Sequence, residues 1–79
     1  MASKAERAYA RAKADQARSE SAFIAADLAY RNAPNVANWV QRQTAQVKMF
    51  RAMAQTLQAR KQWARFIDEQ LKNEVLKNV

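Results

Sequence analysis

The densest run of cationic side chains in this sequence lies between positions 35 and 67, a stretch that contains no Asp or Glu. Its six cations are Arg42, Lys48, Arg51, Arg60, Lys61 and Arg65. Six glutamines are interspersed among them: Gln41, Gln43, Gln46, Gln55, Gln58 and Gln62. An arginine guanidinium can bind a phosphate through two parallel hydrogen bonds, and a glutamine amide can donate a further one. The segment therefore predicts binding of a polyanion, with nucleic acid as the first candidate.

The charge distribution leaves more than one partner open. The net charge is +7, of which residues 1–34 contribute +2, residues 35–67 contribute +6 and the last twelve residues −1. Lys4, Arg7, Arg11 and Arg18 share one flank of the first predicted helix and can add to the same field. No helix-turn-helix, basic-zipper or RNA-recognition signature is present. An acidic protein would suit the same cations, and an anionic membrane surface is the third and least favoured alternative.

Catalysis is not expected from this composition. The chain has no His and no Cys, so the usual general base, thiolate nucleophile and metal ligands are missing. No two carboxylates lie three or four residues apart, which is the spacing that a carboxylate pair on one helix would need. We therefore expect a non-enzymatic protein with no cofactor, no metal ion and no small-molecule substrate.

The elements that must position these side chains are helices. The 79 residues include no Gly and a single Pro, and Ala, Gln, Lys and Arg are abundant, which predicts an all-α protein of one domain. Ser3 and Glu6 have capping-box spacing, so the first helix is expected over about 4–32. The turn is expected at 32–35, where Asn32 can adopt the left-handed conformation that often ends a helix. The second helix is expected over about 36–77, antiparallel to the first.

The apolar pattern predicts which faces the helices bury. In the first helix a stripe of small residues with heptad spacing is the expected contact face, walled along one edge by Tyr9, Gln16, Phe23 and Tyr30. That stripe comprises Ala5, Ala8, Ala12, Asp15, Ser19, Ala22, Ala26, Ala29 and Ala33. The second helix has apolar residues on more than one side, which is typical of a helix with two neighbours. One side comprises Val36, Val40, Val47, Phe50, Ala54 and Leu57, and the other Met49, Met53, Trp63, Ile67 and Leu71.

The C-terminal part of the second helix is expected to extend beyond the first helix. There, Trp63, Ile67, Leu71 and Val75 lie four residues apart on one stripe, which predicts a contact with a second copy of the chain or with another protein. The predicted function is a self-associating or co-assembling helical hairpin that contacts a polyanion. The alternative is a structural subunit or adaptor of a larger complex, such as a virion, whose cations meet acidic protein. The sequence shows no secretory signal or spanning segment, so a cytoplasmic location is expected.

Overall fold

The computed structural model describes residues 2–78, which form two helices, α1 (Lys4–Asn32) and α2 (Val36–Lys77). The helices pack against each other in an antiparallel hairpin with principal dimensions of 66 × 18 × 14 Å. The all-α hairpin is confirmed, and both helices have the predicted bounds. Neither helix contains a stretch long and apolar enough to cross a membrane, judged over the described residues.

Side-chain caps define the start of each helix. The Ser3 hydroxyl accepts a hydrogen bond from the Glu6 N–H at 3.0 Å, which is one of the two bonds of the predicted capping box. The Asn35 carboxamide oxygen accepts a bond from the Asn38 N–H at 2.8 Å. Each bond satisfies a backbone donor that has no partner within its own helix.

The turn is extended rather than left-handed. Ala33 has φ −142° and ψ 83°, and its carbonyl accepts a bond from the Asn35 N–H at 2.9 Å, which closes a γ-turn around Pro34. No described residue has a positive φ, so the left-handed ending expected at Asn32 was wrong. The physical reason is that Pro34 forces the preceding residue out of helical geometry, so the chain leaves α1 through Ala33.

Asn38 ties the two helices together beside this turn. Its Nδ2 donates to the Ala33 carbonyl at 2.9 Å and to the Ala29 carbonyl at 3.3 Å. The Ala29 carbonyl also accepts from the Ala33 N–H, and the Ala33 carbonyl from the Asn35 N–H, both at 2.9 Å, so Asn38 is a second donor to each. The Asn38 side chain therefore links the start of α2 to the end of α1.

Three contacts fix the register of the hairpin. The rings of Tyr9 and Trp63 stack with centroids 5.7 Å apart. The Thr56 hydroxyl donates to the Ala12 carbonyl at 3.1 Å, and Arg42 Nε lies 2.7 Å from Asp27 Oδ1. Since α1 begins five residues before Tyr9, residues from about 68 onward have no α1 beside them. We call residues 68–78 the overhang; their side chains are all exposed.

The surface between the helices, here called the seam, repeats in steps of four and three residues. Its positions in α1 are Ala5, Tyr9, Ala12, Gln16, Ser19, Phe23, Ala26 and Tyr30, with Asp15, Glu20, Asp27 and Ala29 partly buried at its edges. Those in α2 are Asn38, Arg42, Ala45, Met49, Ala52, Thr56, Ala59, Trp63 and Phe66, with Gln43 and Gln46 partly buried at its edges. Six of the nine residues of the small-residue stripe predicted in α1 are partly buried, whereas Ala8, Ala22 and Ala33 are exposed. Rings bury more apolar area than alanines do, so α1 is rotated to place the rings of Tyr9, Phe23 and Tyr30 in the seam.

The large apolar residues of α2 mostly point away from α1. One side of α2 that the sequence predicted to be in contact is instead 48–79% exposed; its large residues are Val36, Val40, Val47, Phe50 and Leu57. Among residues 2–78 the buried positions are two alanines, Ala52 (6% exposed) and Ala59 (9%). Small side chains at these positions let the two backbones approach closely, but they bury little apolar area. The hairpin alone therefore lacks the core that a chain of this size needs.

Replacing Asn38 tests the turn. Asn38→Ala removes two side-chain hydrogen bonds and leaves the Ala33 and Ala29 carbonyls without this donor, so we expect a loss of about 1–2 kcal/mol in the free energy of unfolding. Urea denaturation followed by circular dichroism measures it. Asn32→Ala, an exposed position in the same region, is the control and should change stability by less than about 0.5 kcal/mol. Equal losses in the two variants would contradict this role for Asn38.

Candidate binding faces

The exposed large apolar residues gather on one side of the hairpin. Since a helix turns by about 100° per residue, positions outside the seam fall to its two sides. On one side and directly opposite the seam, at rotations of roughly 70–180° from it, lie nearly all of the large apolar residues that the structure exposes. We call this side the apolar face: Ile24, Leu28, Val36, Trp39, Val40, Val47, Phe50, Met53, Leu57, Ile67, Leu71 and Val75. Leu28, Val40, Val47 and Val75 are the members opposite the seam. A groove of about 460 Å³ on this side is lined by Met53, Leu57 and Arg60 of α2 together with Tyr9 of α1.

The opposite side carries cations, amides and alanines. We call it the basic face, and its cations are Lys4, Arg11, Arg18, Lys48, Arg51 and Arg65, all exposed. A groove of about 550 Å³ joins the two helices here and is lined by Arg18 and Ala22 of α1 and by Gln41, Thr44 and Lys48 of α2, with Val40 at its edge. Up to residue 67, Asp15 is the one acid at these positions, and its carboxylate pairs with Arg18. The basic face therefore has a net charge of +5 up to residue 67, from six cations and one acid.

The side that carries the apolar face has a smaller excess of positive charge. Up to residue 67 its five cations, Arg7, Lys13, Arg31, Arg60 and Lys61, stand against three acids, Glu6, Glu20 and Asp27, for a net charge of +2. Asp68 and Glu74 of the overhang bring this side to neutrality. Most of the +7 charge of the chain thus lies on the basic face.

The structure does not bring the six cations predicted in α2 onto one surface. Lys48, Arg51 and Arg65 lie on the basic face, where they meet Lys4, Arg11 and Arg18 of α1. Arg60 and Lys61 lie on the other side, beside the apolar face. The sequence alone placed these groups on separate helices, and it is the hairpin register that joins the two sets of cations.

Arg42 is part of the hairpin itself. Its Nε donates to Asp27 Oδ1 at 2.7 Å, and its guanidinium carbon lies 5.7 Å from the centroid of the Phe23 ring and 5.8 Å from that of Tyr30. Asp27 is only 17% exposed and also pairs with Arg31 at 2.9 Å. This cation therefore neutralises a partly buried carboxylate between the helices and is held away from the basic face.

The predicted protein-interface stripe divides at the end of α1. Trp63 was expected beyond the reach of α1, but it stacks on Tyr9 in the seam, because α1 extends further along α2 than a fold-back centred on Pro34 implies. Ile67, Leu71 and Val75 are exposed and continue the apolar face into the overhang. Leu76 is a fourth exposed apolar residue there.

Comparison with known proteins gives no further guide to these faces: no family model, no curated protein and no solved structure matches the chain. Within residues 2–78, no three carboxylates gather closely enough to hold a metal ion. The two faces are thus the features from which a function can be argued.

Replacing Arg42 and Arg51 in turn tests the division between structural and exposed cations. Arg42→Ala leaves Asp27 without its interhelical partner, so we expect a loss of about 1–3 kcal/mol in the free energy of unfolding. Arg51→Ala, at an exposed position on the same helix, should stay within about 0.5 kcal/mol of the wild type. Urea unfolding measures both variants. Comparing Arg42→Ala, Asp27→Ala and the double variant gives the coupling energy between these two side chains. A coupling near zero would contradict the structural role of Arg42.

Proposed function

We propose that this chain is a non-catalytic helical binding protein whose apolar face associates with protein and whose basic face contacts a polyanion, with nucleic acid as the first candidate. The observation that carries the proposal is the separation of the two faces. The exposed apolar residues and most of the excess positive charge of one amphipathic hairpin lie on opposite sides, so each side can meet a different kind of surface without desolvating the other.

The spacing of the cations favours an extended polyanion. Lys4, Arg11 and Arg18 lie seven residues apart, which is about 10 Å per step along α1. Arg65 and Arg51 of α2 lie alongside this row, and Lys48 extends it toward the turn. Together these cations cover about 30 Å of the hairpin. A nucleic-acid duplex carries one phosphate charge per about 1.7 Å of its axis, so it offers several phosphates over that length.

The composition of the basic face favours contact with the phosphate backbone over contact with bases. None of the seven aromatic residues lies on this face. Trp39 and Phe50 lie on the apolar face, and five lie in the seam: Tyr9, Phe23, Tyr30, Trp63 and Phe66. Proteins that hold single strands stack bases on aromatic side chains, which this face does not provide. Glutamine amides and exposed guanidinium groups suit phosphate oxygens instead. We therefore expect binding that depends little on base sequence.

The electrical balance of the apolar face favours a protein partner there over an anionic membrane. A helix that binds anionic lipid places its cations beside its apolar residues, so that both reach the same interface. Here the five cations beside the apolar face stand against three acids up to residue 67, and Asp68 and Glu74 of the overhang bring that side to neutrality. The excess positive charge lies on the far side, where it would face away from the lipid.

The second candidate function is a structural subunit of a larger protein assembly, with the basic face meeting acidic protein. The overhang favours it. Leu71, Val75 and Leu76 are 60–64% exposed, and no part of α1 reaches them. A single helix with apolar residues on its surface is a suitable segment to insert between the helices of another protein.

Neutralising the basic face tests the proposal. In the triple variant Arg11→Gln, Lys48→Gln, Arg51→Gln we expect weaker binding to unrelated duplex sequences by similar factors. The slope of log affinity against log salt should fall by up to about 3, at about 0.9 per lost phosphate contact. Fluorescence anisotropy over a salt series measures both quantities.

The matched control removes the same charge from the other side of the hairpin. Arg7→Gln, Arg60→Gln, Lys61→Gln should keep most of the salt slope, because these cations lie beside the apolar face. Equal losses in the two triple variants would contradict a localised basic face. If the wild type shows no salt-dependent binding to DNA or RNA at about 50 mM salt, the nucleic-acid assignment is wrong. Binding to an acidic polypeptide would then support the second candidate.

A further inference from the structure

We propose that the apolar face is covered by a second copy of this chain, packed antiparallel to the first so that the two hairpins form a four-helix bundle. This inference rests on the proposed function only in assigning the apolar face to protein contact. It adds the identity of the partner, its orientation and the residues that meet.

The apolar face is densest between Val36 and Leu57 of α2, a length of about 32 Å. On this side of α2, the stretch contains Trp39, Val40, Val47, Phe50 and Met53, with Gln43, Gln46 and Ala54 between them, and no charged residue. Ile24 and Leu28 of α1 lie beside it. The block is therefore uncharged along α2 and continues across both helices.

The exposed area of this block matches that of a stable dimer. Its nine large apolar side chains are 43–79% exposed in the hairpin. Together they offer on the order of 700 Å² of apolar surface, where each partner of a standard interface contributes about 800 Å². Covering them would supply the large buried side chains that the hairpin lacks, since the buried positions within it are Ala52 and Ala59.

The distribution of residues along the block favours a copy of the same chain. The apolar residues between Val36 and Leu57 lie on both sides of a midpoint between Gln46 and Val47. A two-fold axis through that midpoint would place Val36 of one copy against Leu57 of the other, and Val40 against Met53. A two-fold interface uses the same patch on both subunits, so the block covers itself without a partner of complementary charge.

The charges at the open end of the hairpin favour the same orientation. Four cations lie there on this side, Arg7, Lys13, Arg60 and Lys61, and they exceed the acids, which are Glu6, Asp68 and Glu74. In a parallel pair the two groups of cations would face each other, and like charges placed opposite one another are destabilising. In the antiparallel pair each group lies at the turn of the other copy, so the two groups are separated by the length of the block.

The antiparallel bundle has a functional consequence. Because the basic face lies on the opposite side of each hairpin from the apolar face, the bundle carries its two basic faces on opposite outer surfaces. Such a dimer is bivalent and can bridge two polyanion segments. A monomer with the same basic face can bind only one.

Disulfide trapping in this cysteine-free chain tests partner and orientation together. Val47→Cys lies at the proposed two-fold axis and should link to itself under mild oxidation. Val36→Cys and Leu57→Cys should link poorly when alone and efficiently when the two variants are mixed. The control, Gln58→Cys on the opposite side of α2, should stay reduced at the same concentration. Efficient self-linking of Val36→Cys without mixed linking would show a parallel pair and overturn the proposed orientation.

Sedimentation equilibrium tests the dimer itself. The chain has a mass of 9.0 kDa, so the wild type at micromolar concentration should sediment at about twice that value. Phe50→Asp should raise the dimer Kd by about 100-fold or more, because a carboxylate would be buried in an apolar contact. Gln58→Asp introduces the same residue on the basic face and should leave the dimer intact.

A wild-type chain that sediments as a monomer, folded or not, would overturn the second-copy assignment. The proposed function would survive that outcome if the basic face still binds DNA or RNA with the expected salt slope. Conversely, a trapped antiparallel dimer without any polyanion binding would leave this inference standing and remove the polyanion part of the proposed function. The two ideas therefore fail separately.

Discussion

The close approach of two helices through small side chains is the constraint on which the rest of this structure depends. Ala52 and Ala59 are the buried positions of the seam within the described residues, and its other alanine and serine members are Ala5, Ala12, Ser19, Ala26 and Ala45. Small residues let the helices pack closely, but they leave little room between them for the larger apolar side chains of α2. Met49, Trp63 and Phe66 lie in the seam, whereas the aliphatic residues and Phe50 lie outside it, so the hairpin alone buries little apolar area.

The polar contacts of the seam set the register that small residues leave undefined. Alanine layers fit almost equally well when one helix slides along the other, because they interlock little. Arg42 with Asp27, Thr56 with the Ala12 carbonyl and Asn38 with the end of α1 each require one alignment. Their energetic contributions are modest, yet they decide which exposed residues of α1 lie beside which residues of α2.

That register creates both binding faces. It brings Arg11 and Arg18 of α1 to the same side as Lys48 and Arg51 of α2, and it places Ile24 and Leu28 next to the apolar residues of α2. A small hairpin can carry two surfaces of opposite character only because its seam uses neither the exposed cations nor the large aliphatic residues. The proposed dimer and the proposed polyanion contact therefore have a common origin in the alanine-rich seam.

The sequence by itself determined the helices. Ser3 and Asn35 cap the two helix starts, Pro34 ends the first helix, and no glycine interrupts either one, and all of these are local effects. The sequence also determined the excess of cations between residues 35 and 67. Only the tertiary structure decided which apolar residues lie in the seam. Two sides of α2 are apolar in the sequence, and contact with α1 places Met49, rather than Val47, between the helices. The tertiary structure likewise decided that Arg42 pairs with Asp27 and that Trp63 stacks on Tyr9, because these contacts join residues fifteen or more positions apart, whose proximity depends on the rotation and register of the two packed helices.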